Sequence, residues 1–174
     1  EPLPEYLYLT ADTIGTWTGG GSVTFNESEA LKSLDPDRTR IVGREELDAM
    51  DVLSCIDNPW RWDTLAYHAF GSSVKLAHLY SGTFSESVRK LKSNGAKVVY
   101  TAAAHDVQAS RREHEMLGVP FDYPHLTEPI QWDRYVRGYL DADVVVCPSP
   151  HSANVMKGYG CNRVEVIPHG VNLP

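Results

Sequence analysis

Short apolar runs alternate with amphipathic stretches along most of the chain. Six runs are rich in Val, Ile, Leu and Tyr: Tyr6-Leu-Tyr-Leu-Thr10, Arg40-Ile-Val-Gly43, Val74–Tyr80, Lys97–Ala103, Asp143–Cys147 and Arg163–Ile167. Runs of this length and composition predict strands. Between them the spacing changes. Val23, Ala30, Leu31 and Leu34 recur at near-helical intervals over Ser22–Leu34, after a glycine-dense turn from Gly15 to Gly21. Ser22 or Thr24 is available to cap that helix, and Asp35-Pro36-Asp37 stops it. A short acidic helix or turn is expected over Glu45–Met50, and further helices over Thr83–Ser93, Gln108–Leu117, Glu128–Leu140 and His151–Gly160, with Asn94-Gly95 offering a left-handed exit. Val52–Ser73 is the least legible stretch, with a turn at Asp57-Asn-Pro-Trp60 and a candidate helix from Trp62 to Phe70. Strands alternating with helices predict an α/β fold, a parallel sheet of about six strands with helices on both faces. The last strand runs straight into Pro168-His-Gly-Val-Asn-Leu-Pro174, an exit turn that reads as a domain boundary.

Composition narrows the function classes. At 174 residues the chain suits a single domain, 1–174, able to bury roughly 70% of its unfolded surface. A formal net charge of −7 argues against non-specific nucleic-acid binding, which needs clustered Lys and Arg. No apolar run approaches the ~18 residues of a membrane span, and no signal-peptide pattern opens the chain. The chain starts on Glu1 rather than Met, so processing or trimming can hide the true start. Cys55, Cys147 and Cys161 are odd in number and lack Cys-x-x-Cys spacing, which disfavours a disulfide framework or a zinc site. Reduced thiols in the cytoplasm are the expectation.

In a parallel α/β sheet, ligands bind outside the carboxyl ends of the strands. Three segments fall at that edge. Gly19-Gly20-Gly21 follows the first strand, where glycine lets backbone approach a ligand and a helix N-terminus offers free N–H groups to a phosphate. The bland alternative is a tight turn. Gly19-x-Gly21 begins a dinucleotide fingerprint, but Thr24 stands where its third small residue belongs. His105-Asp106 lies at the tip of the Lys97–Ala103 strand, the imidazole placed to meet a ligand hydroxyl, Asp106 to orient it or to cap the next helix. Ser149-Pro-His151-Ser152 ends the Asp143–Cys147 strand. Ser149 suits an N-cap with Pro150 at the first helical position, although the same N-terminus can also meet a substrate group.

Weaker candidates are Ser81-Gly82 at a strand end, Trp60 and Trp62 as stacking surfaces, and His114, which between Glu113 and Glu115 reads as a solvated helix face. No metal-ligand spacing, Gly-Lys-Ser/Thr phosphate loop or Gly-x-Ser-x-Gly elbow is present.

In this order the segments resemble the N-terminal half of a GT-B glycosyltransferase, of the retaining family called glycosyltransferase group 1 or family 4. The likeness rests on Gly19-Gly20-Gly21-Ser22, Thr101-Ala-Ala-Ala-His105-Asp106, and Gly138-Tyr-Leu-Asp-Ala-Asp143-Val-Val-Val-Cys-Pro-Ser149. It closes on Gly158-Tyr-Gly160 and Val164-Glu-Val-Ile-Pro168-His-Gly170-Val171. The resemblance implies a Rossmann-like domain that mostly holds the acceptor, facing a second half that holds most of a nucleotide-sugar donor. That donor half is absent from this chain, so residues 1–174 alone are expected to be inactive and to bind nucleoside diphosphates weakly. It further implies that Gly20 and Gly21 lie near the donor diphosphate or the acceptor, and that His105 contacts the donor sugar. Gly19, Ser22, Asp106, Ser149 and His151 are the remaining expected contacts. No cofactor or metal is implied beyond the nucleotide sugar as co-substrate. Acceptors on membrane lipids are common in the family, which leaves a peripheral membrane position open. The alternatives are a stand-alone sugar- or nucleotide-binding module, a dinucleotide-dependent oxidoreductase half with Glu45 on the ribose, and a nucleotide-sugar epimerase.

Overall fold

The computed structural model of the protein describes residues 3–15, 19–50, 63, 73–80, 84–102, 107–121 and 129–169. In chain order these form β1 (Tyr6–Thr10), α1 (Gly19–Lys32), a 3-10 turn (Pro36–Arg38), β2 (Thr39–Val42), α2 (Arg44–Met50) and β3 (Leu76–Tyr80). Then come α3 (Ser85–Ser93), β4 (Lys97–Thr101), α4 (Val107–Leu117), α5 (Pro129–Asp141), β5 (Val144–Cys147), α6 (Pro150–Gly158) and β6 (Val164–Val166). The six strands make one sheet in the order β2-β1-β3-β4-β5-β6. Every pairing is parallel, with Tyr8 opposite His78 and His78 opposite Val99 at its centre.

Strand alternation divides the sheet into two unlike faces. Leu7, Leu9, Ala77, Leu79, Val98, Tyr100, Val145 and Cys147 turn to one side and join the main core. Phe84, Val88 and Leu91 on and before α3 complete that core with Tyr135, Val136 and Tyr139 of α5. Each such side chain contributes roughly 1.5–3 kcal/mol of burial. On the other face Tyr8 and Tyr80 pack with Leu31 of α1, flanked by Tyr6, Ile14, Val23, Ile41 and Leu76. That second face is smaller and more polar.

Two close approaches hold the layers. The exit from α3 follows expectation: Gly95 adopts φ 87°, donating from its N–H to Lys92 O at 2.9 Å, while Ala96 N–H reaches Leu91 O at 3.0 Å. Gly138 lets α5 lie on α3. A Cβ there would stand 3.0 Å from Tyr100 Cε1 and 3.6 Å from the Ser85 backbone. Tyr100 is fully buried and its hydroxyl accepts from Phe84 N–H at 3.2 Å, so it has nowhere to go. Gly138→Leu is therefore expected to destabilise the fold by about 2 kcal/mol in urea unfolding. An unchanged midpoint would show that the two helices are not in this contact.

The amino-terminal edge of the sheet is pinned by ion pairs. Glu5 accepts from Arg38 and from Lys75 Nζ, the latter at 2.6 Å. Asp143 accepts from Val98 N–H at 2.9 Å and faces Lys97 at 3.3 Å and Lys92 at 3.5 Å.

One boundary departs from the sequence reading in a way that matters. The glycine stretch Gly19–Gly21 is not a turn but the first turn of α1, which starts three residues ahead of Ser22. Glycine costs about 1 kcal/mol in a helix relative to Ala, and at Gly20 the missing side chain leaves room for Asp12 Oδ2 and Tyr80 Oη. Thr24 is consequently interior to the helix. Its hydroxyl is fully buried and donates back to Gly21 O at 2.9 Å, with Thr13 O at 3.3 Å, so neither Ser22 nor Thr24 caps α1.

Candidate functional site

The strand order reverses at β1: the chain steps to β2 on one side, then crosses to β3 on the other. Outside the carboxyl ends of β1 and β3 such a sheet leaves a crevice. Three residues meet there. Asp12 follows β1, Tyr80 ends β3, and Gly20 sits in the first turn of α1. A Cβ on Gly20 would lie 3.3 Å from Asp12 Oδ2 and 3.8 Å from Tyr80 Oη. The Asp12 loop is held by its own backbone: Asp12 N–H donates to Thr10 Oγ1 at 3.0 Å, and Arg44 N–H donates to Asp12 O at 3.2 Å. Ile14 packs on Gly43, within 3.1 Å of where a side chain would begin.

Burial raises the Asp12 carboxyl above the usual carboxylate range, with the Arg44 charge opposing. Burial likewise pushes the Tyr80 phenol up to about 12, reinforced by the nearby Asp12 and Glu27 carboxylates. Tyr80 thus remains a donor at any physiological pH.

Beneath the crevice lies a buried polar layer. Glu27, two turns along α1 from Gly20, accepts from Tyr8 Oη through Oε2 and from Thr101 Oγ1 through Oε1, both at 2.8 Å. His78 Nε2 lies 2.8 Å from Thr101 Oγ1 and 3.5 Å from Glu27 Oε2. Because Thr101 spends its proton on Glu27, its oxygen accepts from His78, which places the imidazole proton on Nε2. Tyr8 and His78 meet edge to face at 5.4 Å. Burial depresses His78 to about 4, so the ring is neutral. Burial raises Glu27, while the Thr101 and Tyr8 hydrogen bonds favour its ionised form. One carboxylate therefore ties α1 to β1 and β4, with β3 linked through His78.

The helix N-termini at this edge differ in what they meet. At α3, whose N-cap residue Phe84 makes no side-chain cap, Asp63 accepts from Glu86 N–H at 2.7 Å and Ser87 N–H at 2.8 Å. The protein's own carboxylate thus fills that terminus. At α6, Ser149 accepts from Ser152 N–H at 3.2 Å, with Pro150 in the first turn, as its sequence context predicts.

Of the residues expected from the sequence, Gly19, Gly20, Gly21 and Ser22 form the first turn of α1, at the crevice. Ser149 and His151 share the same sheet edge but belong to the β5–α6 junction, about three strand spacings or roughly 14 Å from β1. His151 is exposed. His105 and Asp106 lie outside the described residues, as do Ser81-Gly82, Trp60, Trp62 and Cys55. The strand that leads to His105, β4, ends on the same edge as β1. His114 is not a purely solvated residue. It is half-buried, its ring edge-on to Phe121 at 5.4 Å, because the chain after α4 folds an aromatic back onto the helix. Among the described residues no His, Cys, Asp and Glu group could hold a metal ion, and Cys147 and Cys161 are buried free thiols.

Sequence reasoning missed Asp12, Glu27, Asp63, His78 and Tyr80. A signal existed for several. Tyr6-x-Tyr8-x-Thr10, Leu76-x-His78-x-Tyr80 and Val99-x-Thr101 put polar groups on one face of central parallel strands, where continuous apolar runs are the norm.

Residues 52–173 match the model of glycosyltransferase family 4. The chain belongs to that family. No curated protein matches it. The match covers β3 to β6 and so includes His78, Tyr80, Thr101 and the segment carrying His105, while Asp12, Gly20 and Glu27 precede it. A six-stranded parallel α/β sheet is the architecture of one half of a GT-B enzyme, and the resemblance to the N-terminal domain of such a glycosyltransferase stands. Sugars are accordingly the substrates of this glycosyltransferase domain. No described helix is long and apolar enough to cross a membrane.

Proposed function

We propose that this family 4 domain is the acceptor-side half of a retaining glycosyltransferase that moves a sugar from a nucleotide-sugar donor to an acceptor hydroxyl. The observation that supports the reading is the convergence of Gly20, Asp12 and Tyr80 at the strand-order reversal, on the sheet edge where β4 also ends. His105 contacts the donor sugar, where a neutral imidazole or its carbonyl stabilises positive charge developing on the ring. Retention follows a front-face route, with the donor phosphate helping to remove the acceptor proton, and no metal is needed in that scheme. Gly19, Gly21 and Ser22 shape the crevice, while Asp106, Ser149 and His151 are contacts along the remainder of the edge. A cytoplasmic setting, with reach to lipid-linked acceptors at a membrane surface, accords with this reading. A donor-binding second half completes the site, since transfer requires both substrates in near-attack geometry.

Incubating the intact protein with a panel of nucleotide sugars and sugar acceptors is expected to release nucleoside diphosphate and yield a product of unchanged anomeric configuration. His105→Ala should lower turnover about ten-fold or more, roughly 1.4 kcal/mol in the barrier, with an unaltered circular dichroism spectrum. An unchanged rate removes His105 from the site. Micromolar binding of UDP or GDP by residues 1–174 would instead favour the stand-alone binding module.

A further inference from the structure

We infer that Glu27 is a positioning residue for sugar transfer, a side chain beneath the crevice that aligns the end of β4 with the start of α1 through Thr101. The role deepens the transferase reading and rests on it for the identity of the group that follows β4, His105.

Glu27 stands two turns beyond Gly20 and on the same side of α1, so one helix carries both a wall of the crevice and the carboxylate below it. Both carboxylate oxygens are committed: Oε2 accepts from Tyr8 Oη and Oε1 from Thr101 Oγ1, each at 2.8 Å. Thr101 is buried and is the last residue of β4. Its hydroxyl also lies 2.8 Å from His78 Nε2, so it is held from two sides. The next residue, Ala102, donates from its N–H to Val146 O at 2.8 Å. The carboxyl end of β4 is therefore located by β5 through the backbone and by α1 through Glu27.

Stability alone gives little reason for a carboxylate here. Replacing both partners of a buried hydrogen bond by apolar groups of the same shape is nearly neutral. On the opposite face, α3 and α5 are seated by apolar side chains such as Val88, Leu91 and Val136. Hydrogen bonds add a single arrangement, because a carboxylate oxygen accepts along defined directions whereas methyl groups pack in several. The strand end so defined runs on toward His105, four residues beyond Thr101 in the chain. Misplacing a reacting group by ~1 Å costs about a hundred-fold in rate. Glu27 touches neither substrate in this scheme and acts through Thr101.

The kinetics are measured on the intact protein, with the nucleotide sugar and acceptor that release most diphosphate. Glu27→Gln keeps the shape but offers one acceptor oxygen to two hydroxyl protons, and Thr101→Val removes one of those hydroxyls. Each is expected to lower kcat about ten-fold or more, with KM for the nucleotide sugar within about two-fold of the unaltered protein. Thr101→Ser retains the hydroxyl and should keep most of the rate. The double variant Glu27→Gln/Thr101→Val should fall no further than the worse single one, because both changes break the same bond. Full kcat in Glu27→Gln well below its unfolding midpoint would reduce the residue to packing and overturn the inference, as would losses that add in the double variant. Should Glu27→Gln fail to fold, Thr101→Val and Thr101→Ser decide, and equal rates in those two overturn it. Nitrogen-15 spectra separate this role from the transferase reading. With no diphosphate released from any donor the transferase reading fails. Thr101→Val that moves the Gly20 and Gly21 amides then sustains the alignment of α1 with β4, and amides left in place overturn it.

Discussion

Asp63→Ala is expected to cost about 3 kcal/mol of folding stability, read as a lower urea midpoint at constant slope. Asp63 is 2% exposed and takes the place of an N-cap for α3 from far outside that helix. Its two carboxylate oxygens accept from Glu86 N–H at 2.7 Å and Ser87 N–H at 2.8 Å, and Ser85 Oγ stands at 3.4 Å. Losing a cap costs ~1–2 kcal/mol, and leaving the buried Ser87 N–H without an acceptor adds ~1–3 kcal/mol. Burial raises this carboxyl, while the hydrogen bonds from Glu86 and Ser87 oppose the shift. Asp63→Asn keeps one of the two acceptor oxygens and should lose about 2 kcal/mol, less than Asp63→Ala. Equal losses in the two variants would contradict this account, because a structural acceptor and a required negative charge predict different rankings.

The second large effect is on pH dependence. His78 stays neutral in the folded protein down to about 4, whereas an ordinary histidine takes a proton near 6.5. Between those values the unfolded chain binds the extra proton, so stability is complete above 6.5 and falls as the solution is acidified toward 4. The loss attributable to this one ring is on the order of 3 kcal/mol. Glu27 works in the opposite sense. Its raised carboxyl takes up a proton in the folded state before the unfolded one does, so acidification restores some stability as it titrates. Comparing the protein with His78→Gln isolates the imidazole, since the Gln amide can still donate to Thr101 but cannot titrate. The variant should show a flatter stability profile between pH 6.5 and 4 in urea titrations. Parallel profiles would mean that His78 ionises freely.

Most of the architecture was readable in advance, because strands buried on both faces and helices with one apolar stripe obey different periods. The limits of β1, β4 and β5 lie within two residues of their expected positions, and the Ser149 cap and the Asn94-Gly95 exit took their predicted forms. The start of α1 did not. Three consecutive glycines read as a turn on local propensity, whereas in the fold they open α1, with Asp12 and Tyr80 close beside Gly20. The polar layer was hidden for a related reason. Tyr8, Glu27, His78 and Thr101 lie on four separate elements, and only the sheet order β1-β3-β4 brings them together. Asp63 belongs to the stretch with the weakest periodicity, so nothing local announced that it would close a helix beginning at Ser85.

The Glu27 bridge has a mechanical consequence. A helix that bears on a sheet only through apolar contacts can slide or tilt by small increments. This one is fastened to β1 and β4 by directional bonds to a single carboxylate, with β3 joined through the His78–Thr101 contact. Its leading turn is thereby fixed in height and rotation relative to the tip of β4. The leading turn of α1 cannot shift along the sheet without breaking these bonds, so any flexing at this edge falls to other elements.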